Sequence, residues 1–198
     1  MPYSKDHKPR TRARIVEAAR VLFNRHGFEG VTIDMIMQEA GLTRGGFYNH
    51  FSSKDELFSA AVESFLMGRG AKWRDDAGID PTNLNPDMAR QMLASYLSEE
   101  HLNTLDGQCP MIALPSDIAR GSEAAQESYQ TLLQAMVWLF ERSLSGHRED
   151  PRSDALALAA LSVGGMVLAR TLPASPLARE VRQAAHGAAV NLMSADPR

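Results

Sequence analysis

The sequence predicts an all-α protein of about nine helices, and three observations predict it. Apolar residues recur at three- and four-residue spacing through most of the chain, no stretch alternates apolar with polar residues as a half-buried strand does, and the interruptions are rich in Gly, Pro, Asn and Asp. With 198 residues, 44% of them hydrophobic and 23% charged, the chain is long enough to bury a sizeable core in one or two domains.

Ile15, Ala18, Ala19, Leu22 and Phe23 form one face of a first helix, with Arg14, Glu17, Arg20 and Arg25 on the other, and the helix ends near His26 and Gly27. In "GVTIDMIMQEAG", Thr32 stands where an N-cap belongs, Ile33, Ile36 and Ala40 follow, and Gly41 closes a helix of barely two turns. Thr43 offers a second N-cap to a short helix through His50. Ser52 or Ser53 starts a fourth helix that runs to about Met67, with Asp55 and Glu56 at the positive end of its dipole. The stretch "GRGAKWRDDAGIDPTNLNPD" reads as a linker. Helical patterns then cover 86–105, 110–119, 122–145, 152–171 and 176–194. The expected division is a helix-turn-helix domain over 1–56, with a basic arm over 1–10, and a larger helical domain over 57–198.

The net charge of -3 conceals an asymmetry. Residues 1–25 carry seven basic side chains (Lys5, Lys8, Arg10, Arg12, Arg14, Arg20, Arg25) against Asp6 and Glu17, a net of +5, so the other 173 residues sum to -8. A basic end on an acidic body suits a polyanionic partner, and equally a solvated tail. One cysteine, Cys109, excludes an intramolecular disulfide framework and any multi-cysteine zinc site. With no signal peptide and no apolar run of about 18 residues, the expected location is cytoplasmic, away from any membrane.

A helix-turn-helix lays the start of its second helix in the DNA major groove while neighbouring elements hold phosphates. The layout of residues 32–54 fits this, with Thr32, Thr43, Arg44, Gly45, Gly46, Tyr48, Asn49, His50 and Lys54 as the candidate DNA-binding set. The threonine hydroxyls and helix-start N–H groups suit phosphate oxygens, Arg44 suits guanine O6 and N7, and Lys54 is a point charge for the backbone. Both threonines also serve as plain caps, while Tyr48 and His50 have packing roles as alternatives. Gly45 and Gly46 each cost about 1 kcal/mol relative to Ala in a helix interior, so something other than helix stability favours them.

"TRGGFYNHFSSKDEL" resembles the signature of the TetR family of bacterial transcriptional regulators: Gly45, Tyr48, His50, Phe51, Lys54 and Leu57 match its pattern. "RIVEAARVLFNRHGFEGVTIDMIMQEAGLT" resembles the family's first two helices through Ala18, Ala19, Phe23, Gly27, Thr32, Ile36, Ala40 and Gly41. Two positions depart from it. Met35 replaces the acid that would complete a capping box after Thr32, and Met37 stands where the family usually has Ala, which implies altered packing.

The resemblance implies a homodimeric repressor of a double-stranded DNA operator, with no cofactor and no metal, released by a small-molecule inducer bound in the larger domain. Residues 155–169, "ALALAALSVGGMVLA", are apolar or small almost all round yet too short to span a bilayer, so such a helix needs cover on both sides. Ala157, Ala160, Gly164 and Gly165, with Ala185, Ala188 and Leu192 of the last helix, are the expected dimer interface of four helices. Burial within a monomer is the alternative. Candidates for lining an apolar or aromatic ligand are Met88, Met92, Tyr96, Cys109, Met111, Tyr129, Met136, Phe140 and Met166, along with Leu114 and Trp138, although such residues also build plain cores. Cys109 as a redox sensor lacks a second cysteine to resolve it. The histidines show no i,i+4 pairing or carboxylate constellation, so an enzyme is not expected. A protein-interaction adaptor with a vestigial helix-turn-helix is the rival reading.

Overall fold

The computed structural model describes residues 7–172 and 175–194, so the first six residues of the expected basic arm lie outside the described residues. Those described contain no strand, eleven α-helices and two 3₁₀ turns. The helices are α1 (His7–His26), α2 (Ile33–Glu39), α3 (Lys54–Met67), α4 (Arg69–Asp76), α5 (Pro86–Tyr96), α6 (Glu99–Asn103), α7 (Pro110–Ala113), α8 (Pro115–Arg120), α9 (Glu123–Leu144), α10 (Pro151–Thr171) and α11 (Pro176–Ser194). The 3₁₀ turns are Arg44–Asn49 and Leu105–Gly107.

The all-α class holds, and the helices exceed the expected nine for local reasons. The stretch expected to be one helix over 86–105 breaks at Leu97, after which Ser98 caps α6 by accepting from the His101 N–H at 3.0 Å. The stretch 110–119 breaks before Pro115, whose ring removes the N–H that would continue α7. The expected linker contains α4, and this is a correction. Its glycines and charges hide two apolar anchors: Ile79, buried in the core, and Trp73, whose ring meets those of Tyr96 and His101 at 5.9 Å each.

The chain divides into two compact units, residues 1–65 with 105–129, and 66–104 with 130–198. In the first, α1, α2, the Arg44–Asn49 turn and α3 close around Phe23, Phe47, Phe58, Ile15, Ile36 and Leu57, all essentially inaccessible. Phe23 and Phe58 meet edge to face at 5.0 Å, and truncating either to Ala would cost about 3–5 kcal/mol. Gly41 ends α2 with φ +65°, a conformation that side chains with a Cβ rarely adopt.

Residues 105–129 join this unit through α1. Arg20 Nη1 donates to the Asp106 carbonyl, Arg25 forks onto the Asp106 carboxylate (Nη2 to Oδ2, 2.6 Å), and Asn24 Nδ2 donates to the Gln108 carbonyl at 2.8 Å. Arg20 is buried and also bonds Glu17. Three of the seven cations counted at the basic end are therefore engaged within the protein: Arg20 buried, Arg25 on the surface, and Arg14, whose Nη2 donates to the Ala40 carbonyl.

In the second unit, α5, α9, α10 and α11 enclose a core that includes Met92, Leu93, Val137, Phe140, Leu144, Leu158 and Met193. Gly165 lets α10 and α11 approach closely, since a Cβ added there would lie 2.7 Å from the Ala185 methyl.

Candidate nucleic-acid interface

Three short elements position the expected DNA-facing residues. Thr32 caps α2, its Oγ1 accepting from the Met35 N–H at 3.2 Å. Because position 35 is Met, no acid returns the bond, and the cap has one hydrogen bond where a capping box has two. Thr43 occupies the N-cap position of the Arg44–Asn49 turn, but its side chain makes no capping bond. That corrects the expected cap and leaves its exposed hydroxyl available for another acceptor or donor. The turn itself is 3₁₀ rather than α-helical.

Phe47 is the pin of this turn. Fully buried, it stacks edge-on against Tyr48 at 5.1 Å and lies 5.9 Å from Phe51. With Phe47 inward, Arg44, Gly45, Tyr48 and Asn49 face solvent; Tyr48 exposes 63% of its surface. Gly46 is partly covered: a methyl there would sit 3.5 Å from the Met37 Cε, an ordinary contact, whereas at Gly45 it would meet nothing. Neither glycine has positive φ. The fold of this unit therefore does not require them, and the long Met37 side chain fills the space beneath.

Lys54 is differently placed from a free point charge. Its Nζ donates to the carbonyls of Phe28 (3.0 Å) and Val31 (3.1 Å) and lies 4.0 Å above the Phe28 ring. The ammonium ties the loop after α1 to the start of α3, leaving one N–H for a phosphate. Ser53 Oγ accepts from the Glu56 N–H at 3.1 Å, and Glu56 accepts from both the N–H and hydroxyl of Ser52 at 2.7 Å. Those two donors hold the Glu56 carboxyl below its ordinary pKa.

His50 closes the turn beside the start of α1. Arg12 stacks over the Phe51 ring at 4.5 Å. Burial first, then the positive charges of Lys8, Arg12 and His7, push the His50 pKa below its ordinary value, so the ring is neutral at pH 7.

The candidate ligand residues do not fall into one group. Cys109, Met111 and Tyr129 belong to the first unit, where the Tyr129 hydroxyl donates to the Met111 carbonyl at 3.4 Å and burial raises its pKa. Met88, Met92, Tyr96, Met136, Phe140 and Met166 belong to the second, where Met92 and Phe140 are core and Met136 packs against it. Trp138, expected in a pocket, is nearly half exposed. A groove of about 300 Å³ in the second unit is lined by Ala94, Leu97, Arg182, Gln183, His186 and Gly187, none of which sequence reasoning chose. Arg182 is buried and donates to the Leu97 carbonyl at 2.8 Å, a contact across 85 positions that local pattern does not signal.

The expected dimer stripe splits in two. Ala157, Ala160, Gly164 and Ala188 lie on the outer side of α10 and α11 with Leu156, Leu168 and Leu177, the last two more than half exposed. Gly165 and Ala185 face each other inside one chain and are removed from the interface by their mutual contact. Leu192 is half-buried against the core. The helix that carries the stripe is 21 residues long with a window of mean hydropathy 1.3, long and apolar enough to cross a membrane by composition, contrary to the expected shortfall. Its packing on α11 and its Arg152, Asp154 and Arg170 are those of a core helix.

The described residues bury the inner side of a two-element turn and expose Arg44, Gly45, Tyr48 and Asn49 on its outer side, which is the layout of a helix-turn-helix. Residues 15–61 match the profile described as bacterial regulatory proteins, tetR family. The uncharacterized HTH-type transcriptional regulator YfiR of Bacillus subtilis (strain 168) is 43% identical over 63 residues, which span 32% of this chain and 31% of that protein. The chain therefore matches about a third of that curated relative's length. Among solved structures, reduced NemR of E. coli superposes with a TM-score of 0.72 at 20% identity, covering 92% of this chain and 96% of NemR. A putative TetR-family regulator from Rhodococcus sp. superposes with a TM-score of 0.70 at 20% identity, covering 94% and 100%. Residues 15–61 thus resemble the DNA-binding region of the tetR family, and the fold of the described residues is shared with the two solved structures.

Proposed function

We propose that this chain is a repressor that binds a near-palindromic DNA operator as a homodimer, works in the cytoplasm apart from any membrane, and is released by a small apolar or aromatic ligand. The observation that carries the DNA part is the exposed row Thr43, Arg44, Gly45, Tyr48 and Asn49 held rigid by the buried Phe47. Arg44 reads a base edge, Thr32, Tyr48 and His50 donate to phosphates, and the bare glycines let the backbone approach the groove. Lys54 adds its one remaining donor.

Dimerisation rests on the outer side of α10 and α11. Small residues at 157, 160, 164 and 188 among exposed leucines make a surface that a second copy covers by close helix packing. Ligand binding among Met88, Met92, Tyr96, Met136, Phe140 and Met166 of the second unit acts through α3, whose last two residues are the first of that unit in sequence. Its shift changes the separation of two recognition turns that must match a groove spacing of roughly 34 Å. Gel retardation with an operator selected from random duplexes, repeated across a metabolite panel, tests both halves. A chain that retards no duplex overturns the reading; retardation relieved by one compound class identifies the ligand.

A further inference from the structure

Arg182 of α11 is buried in the wall of the groove at the end of α5. Its Nη1 donates to the Leu97 carbonyl at 2.8 Å, where a cation also meets the negative end of the α5 dipole. That bond accounts for one of the five N–H donors of a guanidinium. The edge formed by Nε and Nη2 can pair with a carboxylate through two parallel hydrogen bonds. Here Nε is buried without a hydrogen-bond partner, and Nη2 lies 3.7 Å from the Glu99 carboxylate, on a side chain 74% exposed. Taking a cation out of water is repaid only by close, hydrogen-bonded partners, and this one is loosely balanced. The groove holds about 300 Å³, the lower end of the range for small-molecule sites. Ala94 and Leu97 give it an apolar wall, and Gln183 and His186 add polar atoms. Gly187, also in the wall, sits inside α11, where glycine weakens a helix. A Cβ there would meet nothing within 4 Å, so packing within the chain does not call for a glycine.

We propose that this groove binds a small monocarboxylic acid with a short apolar body. Its carboxylate pairs with the Nε and Nη2 edge of Arg182, and its body lies along Ala94, Leu97 and Gly187. Glu99 is the internal competitor: its carboxylate stands nearest to that edge, and it yields to water, where most of its side chain already lies. A close pair in a sheltered groove then replaces a long one that solvent screens. The site uses none of the methionines offered above for an apolar ligand, and it does not depend on the DNA-binding reading.

The test titrates the full chain with sodium benzoate at constant ionic strength, by calorimetry and by the shift of the thermal midpoint. Saturable binding is expected. Benzamide, the same ring without the charge, should bind about tenfold more weakly or worse, and inorganic phosphate no better than benzamide. Glu99→Gln removes the competing charge and should tighten benzoate severalfold. Arg182→Met should weaken it by about tenfold or more. Because that variant also loses the bond to Leu97, Gly187→Leu is the second probe: it fills the groove and should abolish binding with a thermal midpoint at or above wild type. Benzoate bound by Gly187→Leu as tightly as by wild type would overturn the site. Benzamide or phosphate matching benzoate, or an unchanged affinity in Glu99→Gln, would overturn the pairing of a carboxylate with Arg182. A wild-type chain with no saturable benzoate binding overturns the proposal outright, while gel retardation without benzoate reports on the DNA reading alone.

Discussion

Arg44 and Asp34 form one hydrogen-bonded ion pair, Nη1 to Oδ2 at 2.7 Å, with both side chains more than half exposed. So exposed a pair contributes at most about 1 kcal/mol to stability. Its consequence is local: it fixes the direction of the guanidinium on the outer side of the turn and cancels the charge that would otherwise attract any phosphate.

Asp34→Asn should therefore raise affinity for random duplex a few-fold more than affinity for the selected operator. Arg44→Ala should relax preference at one base pair per half-site by about 1–3 kcal/mol. Parallel binding to operator and random duplex at one salt concentration reads both. An unchanged ratio in Asp34→Asn would make the carboxylate a bystander.

Lys54→Met keeps the aliphatic cover on Phe28 but loses two hydrogen bonds to carbonyls, so it should destabilise the fold by about 1–3 kcal/mol in urea. Its effect on the salt slope should stay below one unit, because the ammonium has only one donor left to offer. A full unit lost with no change in the melt would make Lys54 a phosphate contact first.

Gly45→Ala and Gly46→Ala should each stabilise the free protein by up to about 1 kcal/mol, because the neighbouring atoms leave room for a methyl. Operator affinity should nevertheless fall. Equal affinity with a raised melt would mean that the glycines serve nothing outside the fold.

Gly165→Ala brings a methyl to 2.7 Å from that of Ala185 and should cost about 1–3 kcal/mol by overpacking. Ala160→Glu places a charge on the outer side of α10 and should instead shift sedimentation toward the monomer. If Ala160→Glu sediments as wild type does, this face is not the dimer interface.

His101 is buried, its Nδ1 2.8 Å from the Tyr96 carbonyl, and burial pushes its pKa below the ordinary value despite that hydrogen bond. The unfolded chain takes up its proton near pH 6.5, earlier than the folded one. Stability from this group is thus complete above that pH and lost as pH falls toward the folded pKa, by at most about 1.4 kcal/mol per pH unit. His50 adds the same sign. Urea midpoints at pH 7.5 and 5.5 should lie closer together in His101→Phe than in wild type.

The chain's own residues determined its helical class, the places of α1, α2 and α3, and the row from Thr43 to His50. Each rests on short-range chemistry: apolar spacing, the Thr32 hydroxyl, the positive φ of Gly41, and a family signature spaced along one turn. The tertiary structure alone decided which charges remain available. It spent Arg20 and Arg25 on Asp106, paired Arg44 with Asp34 and turned Lys54 toward two carbonyls. It also sent Gly165 inward and Gly164 outward, although they adjoin in sequence. These outcomes depend on residues up to about ninety positions apart meeting in space, and local pattern holds no record of such distances. Helical spacing says that a residue has an inner or outer side; only packing says what is waiting there.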